Sequence, residues 1–233
     1  MNRTAIKICG ITNEADALDA IDAGADLLGL IFVPASPRHI LPEEAQKVTQ
    51  TVRAKKPTIK LVGVFQNHSA TEIQKIHTQV GLDLAQLHGD ETMSFCQSLP
   101  IPAIKTVILN PDLNEADLLE QLERYAPSHN TNIEALLLDL PKHARGMSFA
   151  SIALPPDVCE KLNAIQHFVA GGLNPTNVGD VILTRRPDGV DVASGVERSP
   201  GRKDPLKMRL FCQNVRAAEE AMELLGDSST CNR

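Results

Sequence analysis

The stretch Ile6-Lys7-Ile8-Cys9-Gly10-Ile11-Thr12 reads as a short β-strand whose last residue is a thiol. Branched aliphatic residues flank Lys7, Gly10 frees the backbone for a turn, and Thr12 stands where a side chain can cap the helix that follows. A strand ending in this way presents a nucleophile or a base at its carboxyl end. The same unit of apolar run, turn and amphipathic helix then recurs along the chain.

Working outward, strands are predicted at Ile6–Cys9, Leu27–Phe32, Leu61–Phe65, Leu84–His88, Ala103–Leu109, Ala135–Asp139, Phe168–Ala170 and Gly189–Ala193. Helices are predicted at Glu14–Ala23, Pro42–Ala54, Ala70–Val80, Thr92–Ser98, Leu113–Tyr125, Phe149–Leu162, Pro175–Thr184 and Pro205–Leu225, from 3.6-residue periodicity and end signals. Asn174-Pro175 reads as an N-cap followed by proline at the first helical position, and Gly24 and Gly81 close helices. Eight such units without a linker, and without the Gly-x-Gly-x-x-Gly fingerprint of an open dinucleotide-binding sheet, predict one α/β domain. The expected fold is a single closed (β/α)8 (TIM) barrel over residues 1–225, of phosphate-binding type, with a polar C-terminal tail at 226–233.

Composition narrows the chemistry. Of 233 residues, 42% are hydrophobic and only 3% aromatic, so the core is built from aliphatic side chains. A formal net charge of −6 and the absence of a basic block argue against nucleic acid as a partner. No apolar run approaches ~18 residues, which argues against a membrane span and, with no signal-like leader, points to the cytoplasm. The five cysteines (Cys9, Cys96, Cys159, Cys212 and Cys231) are scattered and form neither a disulfide framework nor a zinc pattern. No metal or cofactor is expected; a monomer or homodimer acting on a small molecule is.

In a barrel, functional groups belong at strand carboxyl ends and in the loops after them. Cys9, His88, Asp139, Gly171-Gly172 and Ser194-Gly195 all fall there, and Arg38 lies in the loop after the second strand. Side chains alternate across a strand, so Lys7 shares the face of Cys9, while Ile6, Ile8, Leu136, Leu138, Val190 and Val192 face the outer helices. The first and last strands of a closed barrel are neighbours, so Lys7 and Asp191 are expected to pair beneath the site, where the cation would lower the Cys9 pKa. The turns at Gly171-Gly172 and Ser194-Gly195 suit phosphate, because glycines admit an anion to backbone N–H groups at the position where barrels commonly bind one. Arg38 reads equally as a carboxylate clamp or a solvated loop residue, and His88 as a pocket donor or a structural histidine. Asp139, after three leucines, is costly unless protonated, paired or functional.

These motifs together resemble a known family, phosphoribosylanthranilate isomerase of tryptophan biosynthesis. The resemblance rests on Lys7 to Thr12, Gly29 to Phe32 with Ser36-Pro37-Arg38, Gly63-Val64-Phe65, Gln86-Leu87-His88-Gly89, Leu138-Asp139, Ala170 to Val178, and Asp191 to Asp204. It implies an Amadori rearrangement of N-(5′-phosphoribosyl)anthranilate, with Cys9 as general base, Asp139 as general acid, and no cofactor. The loop from Leu140 to Phe149 departs from the family's glycine-rich pattern, with Lys142, His143 and Arg145 in it. Ala193-Ser194 stands where two serines are common. Two rivals remain: another phosphosugar isomerase on the same barrel, as in the histidine pathway, and a non-catalytic barrel that binds a phosphorylated ligand.

Overall fold

A computed structural model describes residues 3–110, 113–126, 132–141 and 149–224; the expected C-terminal tail and Lys142, His143 and Arg145 lie outside these. Eight parallel strands close a barrel in chain order: β1 (Ala5–Cys9), β2 (Leu27–Ile31), β3 (Lys60–Phe65), β4 (Leu84–Leu87), β5 (Ala103–Ile108), β6 (Ile133–Asp139), β7 (His167–Val169) and β8 (Gly189–Val192). Helices α1 (Glu14–Ala23), α2 (Pro42–Lys55), α3 (Ala70–Val80), α4 (Met93–Ser98), α5 (Glu115–Tyr125), α6 (Pro156–Asn163), α7 (Val178–Arg185) and α8 (Pro205–Leu224) alternate with them. A small antiparallel pair, β9 (Glu197–Ser199) and β10 (Arg202–Lys203), follows β8. The fold is the TIM barrel expected from the alternation.

Period-two alternation divides the aliphatic residues into two layers. Ile6, Ile8, Leu136, Leu138, Val190 and Val192 pack outward into the continuous core beneath the helices. Leu27, Val62, Leu84, Ile104, Ala135, Leu137 and Phe168 point inward and fill the barrel. The apolar filling leaves polar side chains toward the carboxyl ends of the strands. That asymmetry positions the site.

The helices α4 and α5 start one and two residues later than expected, at Met93 and Glu115, and the N-terminal ends of α1, α6 and α7 differ further. Asn13, not Thr12, caps α1 by accepting the Asp16 N–H at 2.9 Å, while the Thr12 hydroxyl donates to the Gly201 carbonyl at 2.6 Å. The helix expected over Phe149–Leu162 is a 3-10 turn at Phe149–Ser151 followed by α6 from Pro156. Pro155-Pro156 explains the break: proline donates no N–H and pushes its predecessor out of the helical region. Finally, Asn174 does not cap α7. Its side chain accepts the Thr176 N–H at 2.8 Å in a tight turn, and the helix begins at Val178.

A buried lysine outside the barrel's interior layer anchors loops above it. Lys105 on β5 donates to the Gly89 carbonyl at 2.6 Å and to Glu91 at 2.9 Å, and both members of the ion pair are only 2% exposed. Glu91 in turn accepts the N–H groups of Asn67 and Gly89, so the pair holds the loops after β3 and β4 together. A buried pair that loses one partner leaves an uncompensated charge, so Lys105→Ala is expected to destabilise the fold by about 3–5 kcal/mol. Urea denaturation measures this; a loss below about 1 kcal/mol, the range of surface pairs, would contradict the assigned role.

Candidate active site

Cys9 ends β1 with 5% of its surface exposed. It pairs across the sheet with Gly29 of β2, and a Cβ at Gly29 would stand 2.7 Å from the Cys9 Sγ. Glycine there vacates the space the thiol occupies. Two residues back on the same face, the Lys7 Nζ donates to Asp191 Oδ1 at 2.9 Å across the seam where β1 meets β8. Lys7 is fully buried and Asp191 nearly so, as the alternation of the two strands predicts.

Electrostatics at Cys9 depart from expectation in their balance. Burial pushes the thiol up, and although Lys7 and Lys203 pull it down, its pKa stays above the ordinary value. The cation acts in the expected direction, but desolvation outweighs it. For Lys7, burial works to lower the pKa, yet Asp191 and Cys9 more than offset it and the ammonium is held above its ordinary value. The ammonium beneath the thiol therefore keeps its charge through the neutral range, 2.9 Å from Asp191.

Across the barrel mouth, Asp139 ends β6 and is about a quarter exposed. Burial raises its pKa, opposed by the Leu140 N–H, which donates to Oδ1 at 2.8 Å, and by His88. Gly171, at φ +84°, lets the backbone pass beside this carboxylate; a Cβ there would lie 2.7 Å from Oδ1 in a conformation side chains rarely adopt. The His88 Nε2 stands 3.9 Å from Asp139 Oδ2, outside hydrogen-bond reach. Burial lowers the His88 pKa, only partly offset by Asp139, which favours the neutral imidazole. Asp139 also feels the charges of Asp191 and Lys7, so both ends of the site share one field.

Of the predicted glycine turns, Gly171 and Gly172 both adopt left-handed backbone, and the Asn177 amide donates to the Gly172 carbonyl at 3.0 Å. Ser194 begins a 3-10 turn through Val196. The two turns touch: a Cβ on Gly195 would fall 1.9 Å from the Leu173 carbonyl oxygen. Glycine is thus required where the loops after β7 and β8 meet.

Arg38 is neither solvated nor free. Its Nε and Nη2 donate to Glu197 at 2.8 and 2.7 Å, and Glu197 also binds the buried Lys203 at 3.0 Å. Sequence reasoning passed over Glu197, Lys203, Lys105 and Glu91; the available signal was a lysine within an apolar strand at Lys105, and nothing local at the others. Gln86, on the strand face it shares with His88, is buried below it, with its amide nitrogen 3.5 Å from the His88 Nδ1. Cys9, Cys96 and Cys212 are free buried thiols, and Cys159 is buried on α6. No His, Cys, Asp or Glu cluster fit for a metal occurs among the described residues, and none of their helices is long and apolar enough to cross a membrane.

Groups able to take and give a proton, converging on the carboxyl-end mouth of a parallel barrel, place the chain among the (β/α)8 enzymes. Residues 6–214 match the family model for N-(5′-phosphoribosyl)anthranilate isomerase. A relative of that name from Herminiimonas arsenicoxydans is 35% identical over 230 residues, spanning 96% of this chain and 97% of the relative. Monomers made from the dimeric phosphoribosylanthranilate isomerase of Thermotoga maritima superpose with a TM-score of 0.76 at 33% identity, over 92% of this chain and 99% of theirs. An isomerase of this kind in complex with reduced 1-(o-carboxyphenylamino)-1-deoxyribulose 5-phosphate gives a TM-score of 0.76 at 33% identity over the same shares. The chain belongs to the phosphoribosylanthranilate isomerase family, the isomerases of tryptophan biosynthesis.

Because Lys7 and its hydrogen bond pull the Cys9 thiol down against burial, Lys7→Met removes that pull and leaves Asp191 to push the thiol further up. The rate of Cys9 alkylation against pH, read by mass spectrometry, is expected to shift to higher pH. An unchanged profile would contradict the coupling.

Proposed function

We propose that Cys9 and Asp139 carry out the isomerisation of N-(5′-phosphoribosyl)anthranilate to 1-(2-carboxyphenylamino)-1-deoxyribulose 5-phosphate as general base and general acid, in the cytoplasm and without a cofactor. The observation that carries this reading is the convergence of a buried thiol over a lysine with a carboxylic acid whose pKa is raised. An acid that must donate near neutrality needs a raised pKa, and a carboxyl in a half-buried, apolar setting has one. Asp139 gives its proton to the furanose oxygen as the aniline nitrogen pushes the ring open to a Schiff base. Cys9 then takes the proton from C2′, and the resulting enolamine tautomerises to the ketone. Protons balance: one enters at the ring oxygen, one leaves C2′, and the tautomerisation restores a C–H bond at C1′.

The substrate is anionic at two ends. Its phosphate is assigned to the turns at Gly171-Gly172 and Ser194-Gly195, where glycines open backbone N–H groups to an anion. Its aromatic carboxylate fits Arg38, and His88 lines the pocket beside the acid. Lys7 and Asp191 support Cys9 from below. The named relatives support the substrate class, since one of them holds a carboxyphenylamino deoxyribulose phosphate analogue. Oligomeric state follows the relatives only as far as a monomer or homodimer.

Turnover is tested by following loss of anthranilate-type fluorescence with phosphoribosylanthranilate generated in situ. Cys9→Ser and Asp139→Asn are each expected to lower kcat by at least about 100-fold while binding the reduced product analogue within a few-fold of the unaltered chain. Near-normal kcat in either variant would refute its assignment. No turnover by the folded, unaltered chain would favour the non-catalytic phosphate-binding barrel.

A further inference from the structure

The short β9–β10 hairpin joins three loops of the barrel mouth, and its charged residues are not used by the chemistry above. Glu197 is nearly buried and accepts both Nε and Nη2 of Arg38, a two-point contact between planar groups. Its Oε1 also accepts the Lys203 ammonium at 3.0 Å and the Gly201 N–H at 3.3 Å. Lys203 is fully buried and donates to the Ala193 carbonyl at 2.9 Å, immediately before the Ser194 turn. The Lys203 N–H is tied to Asp16 of α1, and the Gly201 carbonyl to Thr12. The guanidinium is therefore fixed to the same scaffold as the loops after β1 and β8.

Two features of this cluster point to an anion. One carboxylate shared by two cations leaves an uncompensated positive charge, and only Arg38, with 19% of its side chain exposed, can present it. Glu197 occupies the Nε edge of the guanidinium, so the Nη1–Nη2 edge is left for a second planar acceptor. The stem of Arg38 runs against Gly10, whose Cβ position lies 2.6 Å from the Arg38 Cδ, which keeps the arginine beside Cys9. We infer that Glu197 is the positioning residue that presents Arg38 to the aromatic carboxylate of the substrate, at a separation from the phosphate loops fixed through Lys203. This rests on Arg38 being the carboxylate's partner.

A side chain held in its binding orientation loses little entropy when the ligand arrives. Removing Glu197's charge should therefore weaken recognition of the carboxylate and spare the rest of the ligand. The test compares affinity for reduced 1-(o-carboxyphenylamino)-1-deoxyribulose 5-phosphate with affinity for its phenylamino counterpart lacking the carboxylate, in the unaltered chain, Glu197→Gln and Arg38→Ala. In Glu197→Gln the preference for the carboxylated ligand is expected to fall about tenfold, with the other ligand's affinity within twofold and KM rising more than kcat falls. In an Arg38→Ala background the same change should have no further effect on that preference, which a purely structural role would not produce.

An unaltered preference in Glu197→Gln, or a tighter one as expected if Glu197 competes with substrate for Arg38, would overturn the inference while leaving Arg38's own role standing. If the unaltered chain shows no preference for the carboxylated ligand, the reading of Arg38 fails and the inference with it. Glu197→Asp keeps the charge on Lys203 but withdraws the carboxylate by one methylene from Arg38. It is the substitute should Glu197→Gln not fold, with the same loss of preference expected.

Discussion

The ion pair of Lys7 and Asp191 is the constraint on which the mouth of this barrel depends. It closes the seam between the first and last strands, joining residues 184 positions apart at 2.9 Å with the lysine fully buried. A buried ammonium without its carboxylate is costly, so the pair fixes the register in which β1 meets β8. A slip of one residue would turn Lys7 into the aliphatic layer beneath the helices and Ile6 or Ile8 into the barrel. With the register fixed, Cys9 falls one inward position above Lys7, and the Ser194 turn leaves β8 beside it. The charge pair thus places Cys9 and the Ser194 turn together.

From that seam the remaining polar groups are held by backbone rather than by rigid side-chain packing. Gly29 gives room to the thiol, Gly171 to the carboxyl of Asp139, and Gly195 to the neighbouring loop. Above the aliphatic filling, the loops are locked by buried lysines: Lys105 with Glu91 on one side, Lys203 with Glu197 on the other. Each lysine also caps a carbonyl in the loop it supports, at Gly89 and Ala193. Stability and site geometry are therefore set by the same contacts.

Much of this was legible in the chain because it depends on short-range periodicity. Strand alternation placed Lys7 under Cys9 and opposite Asp191, and predicted the outward layer of Ile6, Ile8, Leu136 and Leu138. Local competition between caps was not legible: Thr12 and Asn13 both qualify, and Thr12 goes instead to Gly201, far along the chain. The break before α6 was legible in principle from Pro155-Pro156 but was overridden by periodicity across Phe149–Leu162. Arg38 and Glu197 are 159 positions apart, and no pattern of spacing announces such a partner. The sign of the Cys9 shift needed burial to be weighed against charge, which only the packed structure supplies.

Burial raises both Cys9 and Asp139, the proposed base and acid, above their ordinary values. The reactive state, with a protonated acid and a thiolate, holds as many protons as the commoner state with a carboxylate and a thiol. Between the two pKa values the reactive fraction is then constant, below the acid's pKa it falls as Cys9 takes up a proton, and above the thiol's pKa it falls as Asp139 stays ionised. The pH profile of kcat/KM tests this most directly. The predicted result is a bell whose acid limb breaks above the usual carboxylate value near 3.8 and whose alkaline limb breaks above the usual thiol value near 9.0. An alkaline limb well below that thiol value, or one that does not move to higher pH in Lys7→Met, would contradict it.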